Sequence, residues 1–503
     1  MIKHTLLTFS IFLAATAPGM AKSFKVTNST DNCLHALDRL TFGPRPGDVE
    51  AVKKMGVEKF IKEQLKPDSI DEDPKIVQFV SNSPALNLSA TQLYNQFGQP
   101  AIKQAKIDQQ LTESDDDKKK LNMIRNDLTK KAYDDVPDAK LMRAICGQRQ
   151  LEEVMTDFWY NHFNVYYNKG QDQLWIGAYE QQAIRPFVLG KFRDILGATC
   201  HHPAMLFYLD NWQNTTPGVN KRGAFAGLNE NYARELMELH TLGVDGGYSQ
   251  KDVTELARVL TGLGLPNRDP KNANLGELGA GYYFDDRRHD HTGKTVMSQT
   301  IAPAGEQEIE QMLDFLASNP ATAHHISYQL AQYFVCDNPP DSLVNKLSER
   351  FLKSKGDIKA VLTELFKSPE FWDPQYFNSK YKSPFRYVVS SLRASNIQPT
   401  DYKPLEQFCR SQGMQLYGCL TPDGYKNTRS AWLNPDSLIR RTSFASSLVS
   451  GKYKGSESAP VELSTLSTAV GDGLSLKTQN AVAKAPNNLK SAMVLGSPDF
   501  MRY

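Results

Sequence analysis

Apolar residues recur three and four positions apart along most of this chain, the spacing that lays one face of a helix on a core. Leu151, Met155, Phe158 and His162 make one such stripe, and Val253, Leu256, Leu260 and Leu263 another. Helix starts are written repeatedly as a capping residue before proline: Asn319-Pro320, Ser368-Pro369, Ser383-Pro384, Asn434-Pro435, Ser497-Pro498 and, more weakly, His202-Pro203. Proline suits the first helical position because that residue's N–H has no intrahelical partner and φ is already near its helical value. Strand-like alternation is scarce, and Gly281 to Phe284 is the clearest short extended stretch. The pattern predicts a mainly α fold: a multi-helix globular array with long loops and at most a minor β-hairpin.

Along the chain, residues 24–65 predict two short helices joined at Gly56. Residues 91–135 are polar around Asp115-Asp-Asp-Lys-Lys-Lys120, where opposite charges three and four apart suit a solvated helical excursion. A disordered insertion is the other reading of that stretch. The helical domain is expected over 22–449, followed by a Ser-, Ala-, Gly- and Thr-rich low-complexity excursion over 450–485 and a C-terminal helix over 486–503 that packs back on the domain. Phe366 to Phe371 is echoed by Leu495 to Phe500, which predicts two helix starts with an aromatic tucked behind each.

Residues 1–21 have the order of a secretory signal: Lys3 and His4, an apolar stretch from Leu6 to Ala17, and small residues at Gly19 and Ala21. The apolar stretch is short of the roughly 20 residues a membrane helix needs, and no later segment has that character. The expected mature protein is exported, periplasmic or secreted, with no transmembrane segment after signal cleavage. At 503 residues, 40% hydrophobic, 23% charged and a net charge of +2, the chain has a large core and gives no electrostatic reason to expect nucleic acid. An exported chain permits disulfides; among its six cysteines, Cys409 and Cys419 are the best pair, ten residues apart across two glycines.

Candidate chemistry concentrates between Gly227 and Asp252. On a helix of about 100° per residue, Tyr232, Ala233, Leu236, Met237 and Leu239 share an apolar face that also holds Asn229 and His240. Asn231, Glu235 and Glu238 fall opposite, flanked by Arg234, so these acids and His240 cannot hold one metal from this helix alone. Asp245 to Asp252 lacks the leading acids of a calcium loop and fits a turn followed by a Ser249–Asp252 capping box. His162 and His240 both face inward. They are either satisfied core histidines or part of a polar cavity with Asp210, Asn211, Asn229, Glu230 and Glu235. His289 and Asp290, near His291 and Lys294, form a loop cluster of a kind that can serve metal or acid–base chemistry. Motifs for nucleotide binding, serine hydrolases and zinc proteases are absent.

Several stretches together resemble the large bacterial exported-protein family catalogued as domain of unknown function 1800. They are Arg39 to Asp48, Asp157 to Val165, Ile184 to Pro186, His202 to Leu206, Tyr208 to Asn211, Leu228 to Gly247, His289-Asp290 with Lys294, Phe334-Val335, Ser368 to Phe371, Lys382 to Pro384, Tyr417 to Cys419 and Thr421 to Tyr425. The resemblance implies an exported protein without an assigned reaction. It also implies a second exported protein of the sulfatase and alkaline-phosphatase kind as a partner. The expected site is central. Glu235 or Glu238 would be base or ligand, His240 or His162 acid or ligand, and Arg234 an anion clamp; Asp210, Asn211, Asn229, Glu230, Asn231 and Lys294 would bind. A divalent metal is admitted by His162, His240, His289 and Asp290, and the expected reaction is hydrolytic or metal-assisted. The competing expectation is a non-catalytic envelope binding or assembly protein whose polar helix is a buried network.

Overall fold

Side-chain caps start several of the helices the sequence predicts. In a computed structural model that describes residues 26–218, 227–265, 281–471 and 473–503, Asn319, Ser383 and Asn434 accept hydrogen bonds from first-turn N–H groups of Pro320–Phe334, Pro384–Ala394 and Pro435–Val449. His202 caps Pro203–Tyr208 through its ring. Ser368 and Ser497 behave differently. Each accepts from the N–H three residues on, Phe371 at 3.2 Å and Phe500 at 3.1 Å, but the chain makes a single turn and leaves. Both phenylalanines are buried. The expected terminal helix therefore ends early, at Asn487–Leu495. The last residues run extended instead, with an antiparallel bridge between Tyr381 and Arg502. The expected signal segment lies outside the described residues.

The fold is mainly α, with two small antiparallel two-stranded sheets among the described residues. The expected extended stretch supplies Tyr283–Phe284, which pairs with Leu263–Gly264. A second hairpin, Lys294–Val296 with Gln299–Ile301, was not foreseen in the pattern. The N-terminal segment forms three helices where two were expected: Thr30–Leu40, Asp48–Met55 and Val57–Gln64. Gly56, at φ +95°, separates only the last two. Residues 91–135 are helical: Gln99–Asp108 and Asp115–Tyr133 are mostly exposed, the second laced by i,i+3 pairs such as Lys120–Asp117 at 3.3 Å. Residues 450–485 carry Leu463–Val470, which buries Leu466 and Ala469, and Leu476–Lys484.

The centre is built from Gln150–His162 and Pro384–Ala394. The second is buried along its whole length, so its polar side chains need internal partners. Arg393 donates to the Gly43 carbonyl at 2.6 Å, and Arg386 to the carbonyls of Asp38 and Thr41 at 2.9 and 2.7 Å. These bonds tie the N-terminal segment to the C-terminal half. The stripe Leu151, Met155, Phe158 and His162 is buried as its spacing predicts. Cys409 and Cys419 are free thiols, which corrects the expected disulfide. Cys409 is packed into the core from Lys403–Ser411, while Cys419 turns toward the Thr421 hydroxyl, 3.8 Å away. Among the described residues no helix is long and apolar enough to cross a membrane.

Candidate functional site

The polar run after Gly227 does not converge on one point. Its helix, Asn231–Glu235, widens into a π-turn over Leu236–Thr241, closed by the Leu242 N–H on the Met237 carbonyl at 2.8 Å and the Thr241 hydroxyl on the Leu236 carbonyl at 2.6 Å. One extra residue per turn breaks the regular wheel. Leu239, expected on the buried face, is half-buried and stands with Glu238 at a cavity wall.

The remaining predicted residues hold the scaffold together. Arg234 bonds Gln250 at 2.9 Å and Glu230 at 3.4 Å near the surface, which leaves no anion clamp there. Glu230 also accepts from Thr254 at 2.7 Å. Asn211 donates to the carbonyls of Leu260 and Leu263, Asn231 to that of Leu209, and Asn229 accepts from the Asn231 N–H. Asp210, at φ +60°, pairs with Lys169 at 2.9 Å. Glu235 is half-buried, and burial, then Glu238, raise its carboxyl above the usual range. Ser249 and Asp252 form the expected capping box.

His289, Asp290 and Lys294 form a closed knot under the second hairpin. Lys294 Nζ donates to Glu308 Oε2 at 2.5 Å and to the Asp290 carbonyl, and His289 Nε2 meets Glu308 Oε1 at 3.1 Å. His289 Nδ1 meets the Thr261 carbonyl at 2.8 Å, and Asp290 accepts from Arg258 at 2.8 Å. The side chains of Lys294, Glu308 and His289 are wholly buried. His162, His240, His289 and Asp290 therefore do not assemble the metal set the sequence admitted. His162, His289 and Asp290 are turned to different protein partners, the His240 ring is buried with its Nε2 unpartnered, and no group of three or more His, Cys, Asp or Glu among the described residues is placed to hold a metal ion.

What the fold does assemble is a cavity of about 300 Å³ beside the central helices, at the lower end of small-molecule pockets. Gln150–His162 contributes Asp157, Phe158, Asn161 and His162; the π-turn gives Glu238; Pro320–Phe334 gives His325, Gln329 and Tyr333; and the start of Pro384–Ala394 gives Arg386. The last wall is a loop carrying Tyr417, Asp423, Tyr425, Lys426 and Trp432. Asn161 pins that loop, accepting from the Tyr425 N–H at 2.7 Å and donating to its carbonyl at 2.9 Å. Gly424, at φ +66°, passes so close that a Cβ would lie 2.2 Å from the Asn161 carbonyl oxygen. Only glycine fits, for both backbone and contact reasons.

Two features set the cavity's electrostatics. Lys140 Nζ stands 2.9 Å from Asp157 and 3.9 Å from Glu180, close over the rings of Tyr160 and Tyr417. Burial opposes its charge, but Asp157 and Glu180 outweigh that and hold the ammonium above its ordinary range. Among the described residues Asp157's other oxygen accepts no hydrogen bond. Arg386 lies behind Tyr333 and Tyr503, whose rings face its guanidinium at 6.0 and 4.2 Å.

The second feature is a chain of polar side chains, His162–Gln329–His325. Burial, then repulsion from His325, lower His162 to about 3, so it is neutral. A neutral imidazole has one N–H. The His240 carbonyl, 3.1 Å from Nε2, takes it. Nδ1, 2.7 Å from the Gln329 amide, must then accept. The amide accordingly turns its NH₂ to His162 and its oxygen to His325 Nε2, 3.1 Å away, an assignment that follows from the network. His240 is held neutral too, by burial and then by His162, and its Nε2 has no partner.

The sequence reading singled out Glu238 and His162 here but passed over Lys140, Asp157, Tyr333, Arg386, Tyr425 and Trp432. One signal was present: Asp157 and Asn161 share a helix face beside the buried stripe, and Asn161 anchors the Thr421 to Gly424 turn. Asn161 and Tyr425 lie 264 residues apart, and no local pattern joins them.

A family model described as "Protein of unknown function (DUF1800)" matches residues 35–502. No curated protein and no solved structure matches the chain.

Proposed function

The chain belongs to the DUF1800 family, and from that premise we propose that it is an exported hydrolytic enzyme of the cell envelope whose centre is this cavity. The observation that carries the reading is Asp157: a carboxylate in a ligand-sized cavity, with one oxygen fixed by Lys140 at 2.9 Å and the other accepting no hydrogen bond among the described residues. A carboxylate so placed takes a proton from a water or a substrate hydroxyl. Lys140 holds it at 2.9 Å, Glu238 stands in another wall as the second carboxyl of the pair, and Arg386 supplies positive potential behind Tyr333 and Tyr503. His325, Gln329 and neutral His162 line the same wall and are tied to one another by hydrogen bonds. Among the described residues the histidines and Asp290 are not placed to hold a metal ion together, and no step runs through one.

A second reading has its own observation. Arg234, Glu230, Asn231 and Asn211 are all engaged in structure, which is what a non-catalytic envelope protein acting with an exported sulfatase- or phosphatase-like partner would show. The test is complementation of a deletion in the native host. Asp157→Asn is expected to fold, by circular dichroism and melting, and to fail in the host; Arg234→Ala is expected to complement. Full complementation by Asp157→Asn would remove the catalytic reading and leave the second.

A further inference from the structure

We infer that the cavity takes a neutral, hydroxyl-rich ring compound, a mono- or oligosaccharide. The inference rests on the cavity being the functional centre, and three features of its wall define the ligand.

The first is the direction of the tyrosines. Tyr160 donates its hydroxyl to the Val165 carbonyl at 2.9 Å, Tyr417 to Glu180 at 2.8 Å and Tyr425 to the Gln415 carbonyl at 2.9 Å. Trp432 likewise donates its indole N–H to the Lys426 carbonyl at 2.9 Å. The polar tips of these side chains are held by protein, so they give the cavity ring surface and no hydroxyl or N–H. Flat apolar rings of this kind suit a ligand with a flat apolar face.

The second is an excess of acceptors. Gln415 donates its NH₂ to the Tyr167 hydroxyl at 2.8 Å, and Gln332 to the Asp337 carbonyl at 3.1 Å. Their side-chain oxygens, Oε1, take part in no hydrogen bond among the described residues. With Asp157 and Glu238 they give the wall several unengaged acceptors, beside one buried donor without a partner, Arg386 Nη2. A ligand that fills it must bring donors, because an acceptor closed off from water and left unpaired weakens binding.

The third is charge. Lys140, Arg386 and Lys426 balance Asp157, Glu238 and Asp423, and Lys426 is held by Asp423 at 2.6 Å. A cavity balanced in this way offers no net attraction to a cation, and its acceptors repel an anion. Neutral donors on a ring with apolar faces are the hydroxyls of a sugar.

The experiment is calorimetric titration of the purified wild-type chain with cellobiose, maltose and chitobiose, beside spermidine as a cation probe and glucose 6-phosphate as an anion probe. At least one neutral disaccharide is expected to bind one to one, and Trp432→Ala to weaken it tenfold or more. Gln415→Leu, which removes an acceptor and leaves the aromatic walls, is expected to weaken it about fivefold with an unchanged melting temperature. That variant keeps the test open should Trp432→Ala not fold. Binding of spermidine or glucose 6-phosphate without any disaccharide would overturn the inference, as would binding of none of the probes. Sugar binding together with full complementation by Asp157→Asn would leave the sugar site standing and remove the hydrolase. Failure of Asp157→Asn in the host with no sugar bound would do the reverse.

Discussion

Two buried lysine–carboxylate pairs divide this molecule. Lys294 and Glu308 are wholly closed to water, and His289, the Asp290 carbonyl and the Ala304 N–H occupy much of the capacity the pair leaves. Lys140 and Asp157 are only 9% and 20% exposed, yet the carboxylate opens on a cavity and keeps an oxygen unengaged. Both pairs join an ammonium to a carboxylate; the difference is what the surroundings leave over. A buried pair whose other contacts come from protein holds elements in place, here the second hairpin against Gln307–Ser318. A pair that keeps a lone pair toward a cavity is available to a ligand.

The largest effect that tests this contrast is in the closed knot. Lys294→Met strands Glu308 as a buried, unpaired charge and is expected to cost about 3–5 kcal/mol, read as the shift in a urea unfolding curve. Adding Glu308→Leu should recover most of that loss. A single variant with wild-type stability would show that the knot is not the closed structural element described. Next comes Gly424→Ala at the open pair. The left-handed backbone and the Asn161 carbonyl together should cost about 1–3 kcal/mol and displace the loop. The readout is a changed Trp432 fluorescence together with loss of host function; intact function would break the link between loop and cavity.

The open side also predicts a pH dependence. His162 is held at about 3 in the folded chain, below the ordinary 6.5, first by burial and then by His325. The unfolded chain therefore binds this proton first. The His162 contribution is complete above about pH 6.5 and is lost as pH falls toward 3. In His162→Gln, melting temperature between pH 6.5 and 4 should fall less than in wild type, and an equal fall would place the acid sensitivity elsewhere. The smallest effect belongs to Arg234, whose bonds are near the surface. Arg234→Ala should change stability by no more than about 0.5 kcal/mol, and a multi-kcal loss in the same unfolding assay would show that its bonds hold more of the fold than their position implies.

The contrast also explains what could be seen in the chain itself. Glu238 and His162 were legible as candidates because each stood in a dense polar or aromatic motif. Arg234, Asn211 and Lys294 were equally prominent, and the fold turned them to structural use. Their residue types suit either role, and the deciding fact is which partner comes within 3 Å. Asp157 sat in the same motif as His162, but nothing nearby in sequence announced Lys140 beside it. The disulfide expected between Cys409 and Cys419 was a statement about loop length; orientation decided against it.

By itself, the sequence determined what short-range physics controls: helices where apolar residues recur at three and four, starts where a cap precedes proline, and the buried stripe of Gln150–His162. Tertiary structure alone decided the rest. It ended Ser368 and Ser497 after one turn because Phe371 and Phe500 had to reach the core. It inserted a π-turn that moved Leu239 to a wall, and it brought Lys140, Asp157, Tyr425 and Arg386 around one cavity. The reason is range. Caps and periodicity act over one turn of chain, whereas a cavity is defined by the surfaces that distant segments leave uncovered when they pack.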